Sequence, residues 1–215
     1  MCGRYYVDES TFRETEKLLE EINGMMRGKR SPDGADFPGN ETPEDPHFQG
    51  LHPCDLHPGD LAPVLVYDQD GAHTRWLRWG FPGLQKGSLI FNARSETAAE
   101  KRMFRNGLAL HRIVIPARQF YEWNRAKEKI TFLRKDEPVL YMAGFYDQFE
   151  DGPHFVILTT QANASMKQTH DRMPLILEKD EAMLWLSEEA KLAPILTKTP
   201  PELDKQAEYE QISFL

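Results

Sequence analysis

From Leu61 to the C-terminal region the chain is cut into short apolar runs by tight turns, and this punctuation constrains the fold more than any other feature. Ala62–Tyr67 and His73–Trp79 flank the turn Asp68-Gln69-Asp70-Gly71. His111–Pro116, Phe120–Trp123, Lys129–Leu133, Val139–Phe145 and His154–Thr160 repeat the pattern, as do Leu89–Asn92 and Pro174–Glu178. Runs this short, rich in β-branched and aromatic residues, are strands. Ile195–Thr197 and Gln211–Phe214 are further candidates to close the sheet. Strands outnumber helices, so the expected fold class is α+β: a single domain over residues 1–215, built on a largely antiparallel, barrel-like β-core with flanking helices.

Helical spacing of Phe12, Leu18, Leu19, Ile22, Met25 and Met26 predicts a helix from about Thr11 to Arg27, capped by Asp8 or Ser10. Further helices are predicted from Ser95 to about Phe104, from Asn163 to Thr169, and from Asp180 to Leu186 with Asp180 as cap. Residues 28–60 carry repeated Gly and Pro that break any regular element, and read as one long loop. No apolar run approaches the ~18 residues that span a membrane. The N-terminus has no signal-peptide pattern, so the expected location is the cytoplasm, at the nucleoid, with no membrane partner.

The net charge is −8, but it is unevenly spread. Residues 72–135 hold 14 Lys+Arg against 4 Asp+Glu, inside an otherwise acidic chain. A basic segment of this kind is an electrostatic footprint for a polyanion, against the plainer reading of charge pairing within one fold.

Cys2 is the chemical anomaly. With Met1 removed, it would carry an α-amine and a thiol two carbons apart. At neutral pH an appreciable share of such amines is neutral, and a thiol is a strong nucleophile even when mostly protonated. The pair can attack an aldehyde through nitrogen and close a five-membered ring through sulfur. It can also serve an N-terminal nucleophile hydrolase. Four other stretches are dense in reactive side chains: Trp76–Phe81, Phe91–Thr97, Phe120–Trp123, and Thr159–Asn163 leading to His170-Asp171-Arg172-Met173-Pro174.

Taken in order, Met1–Arg4, Trp79-Gly80, Asn92–Glu96, Pro116–Trp123, Thr160–Asn163 and His170–Pro174 resemble the motifs of the SOS response-associated peptidase (SRAP) family across nearly the whole chain. The resemblance implies a sensor and shield for abasic sites in single-stranded DNA. In that family the α-amine of the processed cysteine forms a Schiff base with the sugar aldehyde, and the thiol closes a thiazolidine. The product is a covalent DNA–protein link. The peptidase name implies removal of the residue before Cys2 by a thiol autopeptidase activity. The implied catalytic set is Cys2, Asn92, Glu122 and His170. Asn92 offers amide donors and an acceptor. Glu122 lies in an aromatic setting, which favours the protonated form of a carboxyl and suits it to proton shuttling. Histidine is the side chain type whose ordinary pKa lies nearest neutrality, which suits His170 to ring opening and imine formation.

Arg4, Arg94 and Arg172 are the expected phosphate contacts, with Arg78 added and Arg102, Arg105, Arg112 and Arg118 as an outer ring. Trp76 and Trp79 sit on opposite faces of a strand; Trp79 is taken as the one stacking on an unpaired base. The expected partner is single-stranded DNA with abasic sites, with the replication machinery as a further one. The chain is expected to act as a monomer, with no cofactor and no metal. Two departures from the family pattern stand out. Asp55-Leu56-His57-Pro58-Gly59 replaces an Asn-x-x-Pro-Thr segment, placing an acid near a phosphate path. Arg118-Gln119 replaces an Asp-Gly pair.

Three other readings compete. A glutamine amidotransferase also begins Cys-Gly, but nothing in it accounts for His-x-Arg-Met-Pro. A non-covalent single-strand binding module would not need Cys2. His52-x-Cys54-x-x-His57 has ligand types for zinc, but lacks the usual paired spacing.

Overall fold

The computed structural model describes residues 2–26, 53–187 and 192–207. It opens with β1 (Tyr5–Val7), α1 (Glu9–Met26), β2 (Cys54–Leu56), β3 (Leu61–Asp68), β4 (Gly71–Trp79), β5 (Phe81–Pro82), β6 (Leu89–Ile90) and β7 (Asn92–Arg94). Then come α2 (Arg102–Leu110), β8 (Arg112–Ala117), β9 (Gln119–Trp123), β10 (Lys129–Leu133), β11 (Leu140–Phe149) and β12 (Gly152–Gln161). The described chain ends with β13 (Arg172–Pro174), β14 (Ile176–Leu177), α3 (Lys179–Leu186), α4 (Leu192–Leu196) and β15 (Asp204–Ala207).

Strands β12, β4, β3, β8 and β11 pair in that order, and β11 pairs back to β12, closing a five-stranded ring. Four of its pairings are antiparallel and β12–β4 is parallel, with Phe155 opposite Trp79. The ring explains why β3, β8, β11 and β12 carry continuous apolar runs: both faces are covered there, whereas β4 alternates, with Thr74 exposed. Ala62, Val64, Leu77, Ile113, Ile115, Met142 and Phe155 share one buried cluster with Cys2 and Tyr5. Their neighbours Leu65, Val114, Ala143 and Val156 belong to a second cluster, with Leu18 and Ile22 of α1, Phe104 of α2 and Trp185 of α3. Period-2 alternation thus sends one set inward and the other against the helices. At Gly144 the wall is too close for a side chain: a Cβ would lie 2.5 Å from both Ile115 Cδ1 and Val156 O.

A second sheet, ordered β15-β10-β9-β1-β2, is antiparallel throughout. It joins the ring where β8 runs into β9, and there the Arg118 N–H donates to Tyr6 O at 2.8 Å. The N-terminal strand is therefore held at the seam between the two sheets.

Several predicted bounds are corrected. Residues 28–60 are not unbroken loop, because Cys54–Leu56 forms β2 against β1; residues 27–52 lie outside the described part. The helix predicted at Ser95 begins at Arg102, since residues 95–100 form successive turns such as Thr97 N–H to Arg94 O. Asn163–Thr169 is also turns, held by the Asn163 side chain rather than a helical ladder. The cap of α3 is Glu178, in a reciprocal capping box with Glu181. Ile195 lies in α4, not in a strand, and Gln211–Phe214 lies outside the described residues. Asp8 caps α1: its Oδ1 accepts the Thr11 N–H at 2.9 Å, and Ser10 donates to the same oxygen. Among the described residues no helix is long and apolar enough to cross a membrane.

Candidate active site around Cys2

Cys2 precedes β1 and is 1% exposed, packed into the ring's core cluster. Its thiol lies 3.9 Å from Arg4 O. Burial, and after it the negative charge of Glu122, push the thiol far above its ordinary range, so it is held as S–H. Glu122 is only 4% exposed. It comes from β9, which lies against β1 with Tyr5 opposite Phe120, so strand pairing carries the carboxylate to the cysteine. Asn92 arrives from the ring side. It begins β7, which runs parallel to β12 with Asn92 opposite Ile157. Its Nδ2 donates to Cys2 O at 3.0 Å, while its Oδ1 is buried with no hydrogen-bond partner among the described residues. Three of the four expected catalytic residues are therefore brought together.

The fourth, His170, stands on the turn before β13. Its Nδ1 accepts the Arg172 N–H at 2.9 Å and lies 3.0 Å from Asp171. It is tied to the rest through Arg172, whose guanidinium grips Glu96 with two hydrogen bonds of 2.6 and 2.8 Å and donates to Thr159 O. The same contacts hold the Glu96 carboxyl below its ordinary range, the Arg172 hydrogen bonds being the largest cause. Arg172 thus fastens the His170 turn to the Asn92–Glu96 segment.

The expected phosphate cations divide. Arg94 is exposed. A cavity of about 240 Å³ opens beside Asn92, lined by Arg94, Lys101, Met103 and Phe104 among others. Arg78 is half-buried, with Nη1 donating to Gly59 O at 2.8 Å. Arg4 is engaged by the Asp55 carboxylate and lies over the Tyr121 ring at 5.2 Å. Two members of the outer ring are turned to backbone. Arg112 donates to the carbonyls of Ala109, Trp185 and Ser187. Arg118 reaches those of Arg134, Glu137 and Pro138.

Trp79 does not fit its expected role as a base-stacking residue. It is 0% exposed, stacked at 9° on Phe155, and its indole N–H donates to Phe91 O at 3.0 Å. The reason is register: Trp79 follows Leu77 on the inward face of β4. Among the described residues the most exposed tryptophan is Trp123, 42% exposed at the end of β9 beside Glu122. Strand alternation past a buried Glu122 would have pointed to it. Asp55 is a neighbour of Arg4 that the sequence does not show, because the pairing of β2 with β1 cannot be read from a Gly/Pro-rich stretch. Of the zinc-like trio, His52 lies outside the described residues, Cys54 is exposed, and His57 lies 3.7 Å from Asp60.

Cys2, Asn92 and Glu122 thus share one cluster where the second sheet meets the β-ring, with Cys2 and Glu122 buried. The chain belongs to the SOS response associated peptidase (SRAP) family, whose model matches residues 1–213. It is 31% identical over 207 residues to the abasic site processing protein YoqW of Bacillus subtilis (strain 168), covering 87% of this chain and 80% of that one. It is 26% identical over 197 residues to the abasic site processing protein YedK of Escherichia coli (strain K12), covering 88% and 81%. A crystal structure of a phage-related protein from Bordetella bronchiseptica shares the fold, with a TM-score of 0.68 at 19% identity, covering 96% of this chain and 94% of that one.

Proposed function

We propose that this chain processes abasic sites in single-stranded DNA by covalent capture at Cys2. The observation that carries the reading is the convergence of Cys2, Asn92 and Glu122 from three separate segments in a chain related to abasic site processing proteins.

The chemistry follows from the protonation states. A thiol held as S–H is a poor first nucleophile. The α-amine of Cys2, freed by hydrolysis of the Met1–Cys2 peptide bond, attacks the aldehyde of the ring-opened sugar. Nitrogen bonds to carbon, and loss of water leaves an imine. The thiol then adds across the C=N bond: sulfur bonds to carbon, the thiol proton is relayed to nitrogen, and a thiazolidine closes. Glu122 suits that relay, being a buried carboxylate that acts electrostatically on the sulfur. Asn92 fixes the Cys2 carbonyl, and its unpaired Oδ1 is an acceptor for the new amine. Hydrolytic removal of Met1 is the associated autopeptidase activity. Trp123 is the exposed aromatic for a neighbouring base, and Arg94 the exposed cation for phosphate.

The test is a denaturing gel of Met1-processed protein with single-stranded DNA bearing one abasic site. A heat-stable shifted band that vanishes in Cys2→Ser is expected. No band, or an equal band from Cys2→Ser, overturns the mechanism; glutamine hydrolysis without a band would favour an amidohydrolase.

A further inference from the structure

Arg4 stands two residues from the nucleophile, yet its charge is already answered. Its backbone carbonyl accepts the Tyr121 N–H at 3.0 Å, and its guanidinium donates to Asp55 Oδ2. Asp55 comes from β2, opposite Tyr6 in the β1–β2 register, so the small second strand delivers a carboxylate to this spot. The two side chains are 30% and 28% exposed, which leaves the pair within reach of an anion from solvent. Lys129 also lies over the Tyr121 ring, at 4.2 Å.

A phosphate that approaches Arg4 meets the Asp55 charge at the same time. The salt-sensitive part of DNA affinity counts cations that neutralise phosphates and release counterions. A guanidinium neutralised by a protein carboxylate adds nothing to that count. Phosphate contacts are also the same at every nucleotide, so they hold intact and damaged strands equally. We infer that Asp55 is a specificity-determining residue: by occupying Arg4 it withholds a phosphate contact beside Cys2, weakening non-covalent hold on undamaged strands and leaving retention to the covalent bond at the lesion. This rests on the proposed function for the identity of the polyanion.

The experiment measures binding of an undamaged single-stranded oligonucleotide by fluorescence anisotropy across a salt series, with Cys2→Ser as the parent. Asp55→Asn should bind about tenfold more tightly at low salt, as one added charge-assisted contact would give. Its slope of log affinity against log salt should steepen by about 0.7. Adding Arg4→Gln to Asp55→Asn should return both values to the parent's. Asp55→Ser, which removes the same carboxylate with a smaller side chain, should steepen the slope by the same amount and guards against a folding defect peculiar to Asp55→Asn. The inference is overturned if neither Asp55 variant binds more tightly than the parent, or if the gain survives loss of Arg4. Crosslinking of the Cys2 protein to abasic DNA is run alongside. Its failure with the Asp55 effect intact counts against the function and not against the electrostatic role.

Discussion

Replacing Glu122 by Gln should move two properties of Cys2 in opposite directions. The carboxylate is 4% exposed, so solvent screens it little, and it is the second cause, after burial, of the raised thiol pKa. Removing its charge lowers that pKa, although burial keeps it above the ordinary thiol range. In a Cys54→Ser background, which removes the exposed thiol, alkylation of Cys2 by iodoacetamide at one fixed alkaline pH should therefore be faster in Glu122→Gln. Crosslinking to abasic DNA should slow instead, because the proton relay is lost. Positioned acid–base groups contribute about 10²–10⁴-fold, or about 2.7–5.4 kcal/mol of barrier at 1.36 kcal/mol per decade. Intact mass confirms that both variants carry the same N-terminus. An alkylation rate that is unchanged, or lower, would refute the electrostatic contact. Unchanged crosslinking would place the relay elsewhere.

Trp79→Ala should destabilise the fold by about 3–5 kcal/mol in a denaturant titration, whereas Trp123→Ala should leave stability nearly unchanged and weaken single-strand binding by about 1–3 kcal/mol; the reverse pattern would restore Trp79 as the stacking residue. Arg112→Met should cost about 2–4 kcal/mol, read by chemical unfolding, because carbonyls of Ala109, Trp185 and Ser187 lose their donor. Asp8→Ala should cost about 1 kcal/mol at pH 7. Burial works against the Asp8 charge, but hydrogen bonds from Ser10 and Thr11 outweigh it and hold the carboxyl below its ordinary range. A lowered folded-state pKa gives stability that is present above the unfolded value and lost as pH falls through the folded one. The gap between wild type and Asp8→Ala should therefore narrow in unfolding curves taken near pH 2.

Strands β3, β8, β11 and β12 were legible because long stretches of each are covered on both faces, and two-sided burial writes a local apolar run into the sequence. The α1 helix was legible because Leu18 and Ile22 keep helical spacing against the ring. Residues 95–100 and 163–169 have helix-compatible composition but form turns; at 163–169 the Asn163 side chain accepts from the Ser165 N–H and hydroxyl in place of a regular ladder. Strand β2 is three residues inside a Gly/Pro-rich region, and only its partner β1 defines it. At the site, motif order brought Cys2, Asn92 and Glu122 onto one list before geometry did. Motif order could not show which arginines are occupied. Arg4, Arg112 and Arg118 read alike in sequence, and their acceptors lie 51, 73 and 16 residues away. Trp79 failed for a related reason, since an inward and an outward tryptophan differ only by strand register.

The seam that buries Cys2 also imposes an order in time. The N-terminal strand waits for Gln119–Trp123 to emerge before it can pair on that side, and the ring behind it closes only once β12 is made. Chains grow at about 5–20 residues per second, so that interval is on the order of ten seconds. Contacts this distant in sequence also form slowly once available. An enzyme acting in trans on the Met1–Cys2 bond would meet Cys2 open during synthesis and 1% exposed afterwards. Under the proposed mechanism, trimming of Met1 from outside has to come before that closure.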